Sequence, residues 1–186
     1  MKSVLLVMLV GCSARLGDAT GPSTGTDADS SIDGQVSHPI DAAPDAKVCM
    51  GGDAHMADSD GNCFQFFTAK KIFADAKTAC DAAGAHLAKL ENKAQNDIVA
   101  ALSVGVDSFI GATDAVTEGT FLWEDGTPLT YKNFHTGEPN NGGSGGYQED
   151  CLVMAGARAG GTDWDDRPCT TGLAANAGSY AYTCEY

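Results

Sequence analysis

Cysteine placement constrains this chain more than any other feature. Seven cysteines occur: Cys12, Cys49, Cys63, Cys80, Cys151, Cys169 and Cys184. No two are spaced as CxxC, which argues against a zinc ribbon or a thioredoxin-like redox motif. Cys12 stands apart, inside an apolar N-terminal segment. The other six form an even set, which in an exported chain predicts three disulfides. Spacing alone does not choose their pairing.

The N-terminus supports export. Lys2 precedes the apolar run Val4–Val10, followed by Gly11 and Cys12. That run is too short to span a bilayer and fits the hydrophobic region of a signal peptide. Leu9-Val10-Gly11-Cys12 resembles a bacterial lipobox, in which the cysteine is lipidated, and this accounts for the odd cysteine. We expect a signal peptide of the lipoprotein type over 1–11, lipidation at Cys12, and display at the outer membrane or cell surface. Residues 12–47 are rich in Ser, Thr, Gly, Asp, Ala and Pro. Such a segment buries too little apolar surface to offset its ordering entropy, so it reads as a disordered acidic tether. The folded domain is expected over 48–186.

The net charge of -14 argues against a nucleic-acid partner, which needs a basic patch. It suits solubility and cation binding. Within the domain, Cys63–Phe67 reads as a strand. Thr68 offers an N-cap for a helix to about Ala83, with Ile72, Phe73, Ala76 and Cys80 on one face and Gly84 as its stop. A second helix starts at Asn92, where Gln95 allows a capping box, and is expected to bury Ile98 and Leu102. Short strands follow at 108–112, 121–123, 152–155 and 180–185. Helices first and strands later indicate an α+β domain. The long loops between 113 and 167 mark the functional region.

Hard oxygen donors gather in three clusters there: Glu138-Pro139-Asn140, Glu149-Asp150 and Trp164-Asp165-Asp166. Carboxylates, amides and carbonyls are the ligands of Ca2+. Zinc favours His and Cys, and these clusters hold no histidine.

In this order the motifs resemble the C-type lectin-like domain in its long form. The resemblance covers roughly Cys49 to Tyr186. It rests on Cys63-Phe64, on Gly84-Ala85-His86-Leu87-Ala88, on Phe109-Ile110-Gly111-Ala112, on the donor clusters and on Tyr182-Thr183-Cys184-Glu185-Tyr186. It implies two helices flanking short antiparallel sheets, with a long calcium-binding loop region. It also implies the pairs Cys49–Cys63, Cys80–Cys184 and Cys151–Cys169. Its principal Ca2+ site would use Glu138, Asn140, Glu149, Asp165 and Asp166, with Pro139 as a cis-proline. Glu138, Asn140, Glu149 and Asp165 would also contact a sugar. An auxiliary Ca2+ site would use Asp114, Glu118, Asn141, Glu149 and Asp150. The Glu-Pro-Asn order resembles that of lectins for mannose, glucose, N-acetylglucosamine and fucose. Asp165 departs from the pattern, since sugar-binding members usually carry Asn there. A carboxylate has no N–H to donate, so we expect tighter calcium binding, weaker or altered sugar selectivity, and a gain in mannose affinity on Asp165→Asn.

Bland readings stand beside these. A domain of the same fold with structural calcium would bind a protein or mediate adhesion without any sugar. Most surface acids are simply solvated. Trp123 and Trp164 are expected in the core, and His86 in a structural role. His135 lies near the binding loop but reads as a plain exposed histidine. Asp58-Ser59-Asp60-Gly61-Asn62 echoes an EF-hand loop without its distal Glu, so a hairpin turn is expected. Gly142–Gly146 lacks the Gly-Lys-Ser/Thr ending of a phosphate cradle. A glycosidase needs one carboxyl kept protonated, whereas a divalent cation holds such groups ionised. We therefore expect a binding module and not an enzyme.

Overall fold

Two strands with opposite-facing neighbours set the architecture. They are β4 (Asp107–Thr113) and β6 (Cys151–Ala155), and successive side chains on a strand point to opposite faces. Ile110, Leu152 and Met154 enter one core with Phe64, Leu90, Val99, Trp123 and Trp164. Phe109 and Val153 enter a second core with Ala76, Cys80, Leu87, Tyr182 and Cys184. Burial on both faces is why β6 reads as a continuous apolar run rather than an alternating one.

The computed structural model describes residues 48–142, 147–170 and 178–186. The expected signal peptide, Cys12, the tether up to residue 47 and glycines 143, 145 and 146 lie outside them. Around the two central strands run β1 (Ala54–Ala57), β2 (Cys63–Lys71), α1 (Phe73–Ala82), β3 (His86–Leu87), α2 (Lys93–Leu102), β5 (Leu122–Trp123), β7 (Trp164–Arg167) and β8 (Tyr180–Glu185). The sheet order is β1-β2-β8-β4-β6-β7, with β3 on β8 and β5 on β4. The pairings are antiparallel except β4 with β8, which run parallel and join the two ends of the sheet. The domain is thus α+β with two helices, as expected from the helix-then-strand order.

The first helix departs from expectation at its start. Thr68 does not cap it. Its N–H and hydroxyl both donate to Asp53 Oδ2 at 2.6 Å, and β2 continues through Lys71 against β8. Ile72 occupies the N-cap without a side-chain bond. The stop is as expected: Gly84 adopts φ +75°, and its N–H reaches Asp81 O at 3.0 Å.

The second helix begins at Asn92, whose Oδ1 accepts from Gln95 N at 3.0 Å. Gln95 returns a bond to the Glu91 N–H at 2.8 Å, one residue before the usual capping-box donor. Its buried residues are Gln95, Asn96, Val99 and Ala100. Ile98 and Leu102 pack only at the margin of the core. Counting apolar residues missed this face because two amides turn inward to bond. Asn96 is the more consequential: its Oδ1 accepts from Trp164 Nε1 at 2.7 Å, and its Nδ2 donates to Thr162 O at 2.8 Å.

The three disulfides are Cys49–Cys63, Cys80–Cys184 and Cys151–Cys169. Cys80–Cys184 ties α1 to β8 across 104 residues, a loop for which chain entropy contributes up to about 4.7 kcal/mol. Cys151–Cys169 fastens the end of the β6–β7 pair. Asp58–Asn62 forms the hairpin turn between β1 and β2, with Asp58 Oδ1 accepting from the N–H groups of Asp60 and Asn62.

Asn96 is the pin that seats Trp164, the residue before Asp165. Asn96→Leu should destabilise the protein by about 1–3 kcal/mol, the cost of orphaning buried polar groups. Urea denaturation measures it. A loss below about 0.5 kcal/mol, the range of neutral surface changes, would contradict this placement.

Candidate metal centre

Strand β7 brings the acidic pair to the site. Trp164 is fully buried and packs edge-on against Trp123, Tyr131 and Phe134. Both tryptophans are therefore core residues. In register with β6, Asp165 lies opposite Val153 and Asp166 opposite Leu152. Each aspartate is 1% exposed. Burying two adjacent carboxylates is costly unless each finds a partner.

Asp166 finds backbone donors. Its Oδ2 accepts from Asn141 N at 2.7 Å and from Asn140 N at 3.1 Å. This fixes the loop carrying Glu138, whose peptide bond to Pro139 is cis. Asn140 itself is exposed. A Cβ at Gly142 would collide with its amide oxygen, so Gly142 makes room for Asn140 to lie as it does.

Asp165 finds arginines. Its Oδ2 lies 2.6 Å from Arg167 and 2.7 Å from Arg158. Arg158 also meets Asp163 at 3.3 Å, and Asp163 holds His135 at 2.7 Å. His135 thus supports the binding loop instead of standing free. His86 is exposed and its Nδ1 lies 2.9 Å from Leu87 O.

Two carboxylate oxygens at the centre remain buried without a partner: Glu138 Oε2 and Asp165 Oδ1. Glu138, Asp165 and Asp166 each offer a ligand atom within 4.8 Å of the others. Buried oxygens without a donor require a proton or a cation. Burial, with Asp165 and Asp166 nearby, pushes the Glu138 carboxyl up to about 7. Burial also raises Asp165, against the pull of Arg167 and Arg158. Hard oxygens gathered this closely, two of them buried without a donor, fit Ca2+.

Glu149 lies beside this group, 8% exposed. Burial and Asp166 raise its carboxyl. It is not among the three closest ligand atoms. Among the described residues the expected auxiliary set does not form such a cluster of ligand atoms, though its carboxylates lie near enough to act on one another. Asp114 and Glu118 are raised first by burial, and both feel Asp150 and Asp166. Asp114 Oδ1 is buried and unpartnered, while its Oδ2 accepts from Gly119 N at 2.8 Å. Asn141 acts as a strut. Its Oδ1 accepts from Glu149 N at 2.8 Å, and its Nδ2 donates to Glu118 at 2.8 Å and Gln148 at 3.1 Å.

Arg158 and Arg167 are the site residues that sequence reading missed. The signal was present: the chain has three arginines in all, and two of them flank the unusual Asp165. Both act on this position. The extra charge of Asp165 is offset within the protein, and Asp165→Asn would leave two guanidinium groups facing an amide.

Residues 69–175 match the family described as "Lectin C-type domain". The low affinity immunoglobulin epsilon Fc receptor of Mus musculus is 35% identical over 123 residues, covering 66% of this chain. The match spans 35% of that relative's length. Among solved structures, the carbohydrate-recognition domain of mouse scavenger receptor C-type lectin is 28% identical with a TM-score of 0.59, over 71% of this chain and 92% of that one. The cow CD23 carbohydrate-recognition domain, solved in the presence of GlcNAc2Man3 oligosaccharide, is 26% identical with a TM-score of 0.60, over 74% and 95%.

The pH dependence of the metal-free protein follows from Glu138. Its carboxyl is raised from 4.5 to about 7 on folding, so the folded state holds the proton more tightly. Its contribution to stability is full below 4.5 and is lost as pH rises through about 7. The melting temperature in EDTA should therefore fall between pH 5 and pH 7.5, with calcium restoring it at the higher pH. A flat or rising curve in EDTA would contradict the assignment.

Proposed function

This chain belongs to the C-type lectin domain family, and from that premise we propose that it is a calcium-dependent carbohydrate-binding module. The observation that carries the proposal is the pair of buried, unpartnered oxygens on Glu138 and Asp165 beside Asp166. Glu138, Asn140, Glu149, Asp165 and Asp166 would hold the ion. Bound calcium offers coordination positions that hydroxyl groups can fill. Asp166 sets the loop geometry through its bonds to Asn140 and Asn141. Glu138 is an acceptor and exposed Asn140 a donor for neighbouring sugar hydroxyls. The Glu-Pro-Asn order favours mannose-, glucose-, N-acetylglucosamine- or fucose-type sugars. Asp114, Glu118 and Asp150, braced by Asn141, would hold an auxiliary ion that orders the loops.

The module itself is residues 48–186, on a tether over 12–47 behind a lipid anchor at Cys12. A single open site binds weakly, and many copies on one surface supply avidity. The mouse relative is named for an immunoglobulin ligand, so a protein ligand is the competing reading.

The test is a glycan array probed with the full chain in calcium and in EDTA. We expect binding to mannose-type glycans that EDTA abolishes and free mannose competes. Protein capture that ignores both would support the rival reading and contradict this one.

A further inference from the structure

The arginine pair on Asp165 does more than neutralise a charge. Its two guanidinium groups meet on one oxygen, Oδ2, at 2.6 and 2.7 Å. The other oxygen, Oδ1, is buried and has no donor. Asp165 therefore presents one occupied oxygen and one free oxygen, and it is one of the three residues whose ligand atoms cluster. The arginines come from separate places: Arg167 ends β7, and Arg158 sits in the turn after β6. Arg158 is braced by Asp163, and Arg167 donates to the Asp166 carbonyl at 3.3 Å. Two long side chains held from two elements fix the rotation of the carboxylate between them.

We propose that Arg158 and Arg167 are positioning residues for the cation: by occupying Asp165 Oδ2 they leave Oδ1 as the free ligand beside Glu138 and Asp166, and they make a carboxylate obligatory at this position. This rests on the calcium reading above. The chemistry is a matter of counting donors. A carboxylate accepts on both oxygens, whereas an amide has one acceptor and an NH2 that only donates. With its oxygen toward the arginines, an Asn at 165 would aim NH2 at the cation. With its oxygen toward the cation, it would press NH2 against two guanidinium groups in a buried place. The Asp and the two Arg residues therefore work as one unit, and Asn becomes acceptable only when the arginines are gone.

A mutant cycle on the full chain tests this. It compares wild type, Asp165→Asn, Arg158→Gln with Arg167→Gln, and all three changes together. Calcium affinity is read by titration calorimetry, and metal-free stability by thermal denaturation in EDTA. We expect Asp165→Asn alone to weaken calcium binding by about tenfold or more, the usual cost of disturbing a supported ligand, and to lower the melting temperature in EDTA. In the Arg-replaced background the same change should cost much less on both readouts. Should the paired replacement fail to fold, Arg158→Gln and Arg167→Gln are combined singly with Asp165→Asn. Equal losses in both backgrounds, or an Asp165→Asn protein that binds calcium as wild type does, would overturn the positioning role alone. A folded wild type without measurable calcium binding would overturn both this role and the calcium reading.

Discussion

Asp166 is the contact on which the site depends. Its buried carboxylate takes backbone N–H groups from Asn140 and Asn141, and so joins an irregular loop to the edge strand of a rigid sheet. Loops carry binding residues well only when a scaffold sets their position. Here the scaffold reaches Asp166 through Trp164, which Asn96 pins from the second helix, and through the Cys151–Cys169 bridge at the end of the same strand pair. Helix, core, strand and loop thus form one mechanical path to the ligand atoms.

Charge in the site is distributed unevenly. Asp163 and Asp165 are met by arginine, Asp166 by backbone amides. Glu138 Oε2 and Asp114 Oδ1 have neither. A group with unmatched buried oxygens is under electrostatic pressure to bind something positive. The matched ones have fixed geometry, and the unmatched ones are where a cation would be held. The shared fold alone decides neither calcium use nor ligand.

Much of the fold was legible in the chain. Six cysteines announced disulfides, Gly84 and Asn92 marked helix ends, and Tyr180–Glu185 read as the strand it is. The three acidic clusters stand out in the sequence as hard-oxygen donors, while their division into a principal and an auxiliary site, like the sugar type, comes from the resemblance. Local propensity misled where tertiary bonds overrode it. Thr68 looked like a cap, but Asp53 holds it in a strand. Asn96 is a polar residue in the middle of a helix, yet its partner is a buried indole. Strand β7 was hidden because its sequence, Trp-Asp-Asp-Arg, is polar, and its burial comes from partners far along the chain. Arg158 is rare enough in the composition to notice, but its contact with Asp165, seven residues on, forms only because β7 turns back beside β6.

A crystal structure of the full chain grown with calcium tests the central claim most directly. The account predicts an ion about 2.3–2.6 Å from oxygens of Glu138, Asp165 and Asp166, with a coordination position open to solvent. An empty centre, or an ion whose shell the polypeptide already fills, would contradict it.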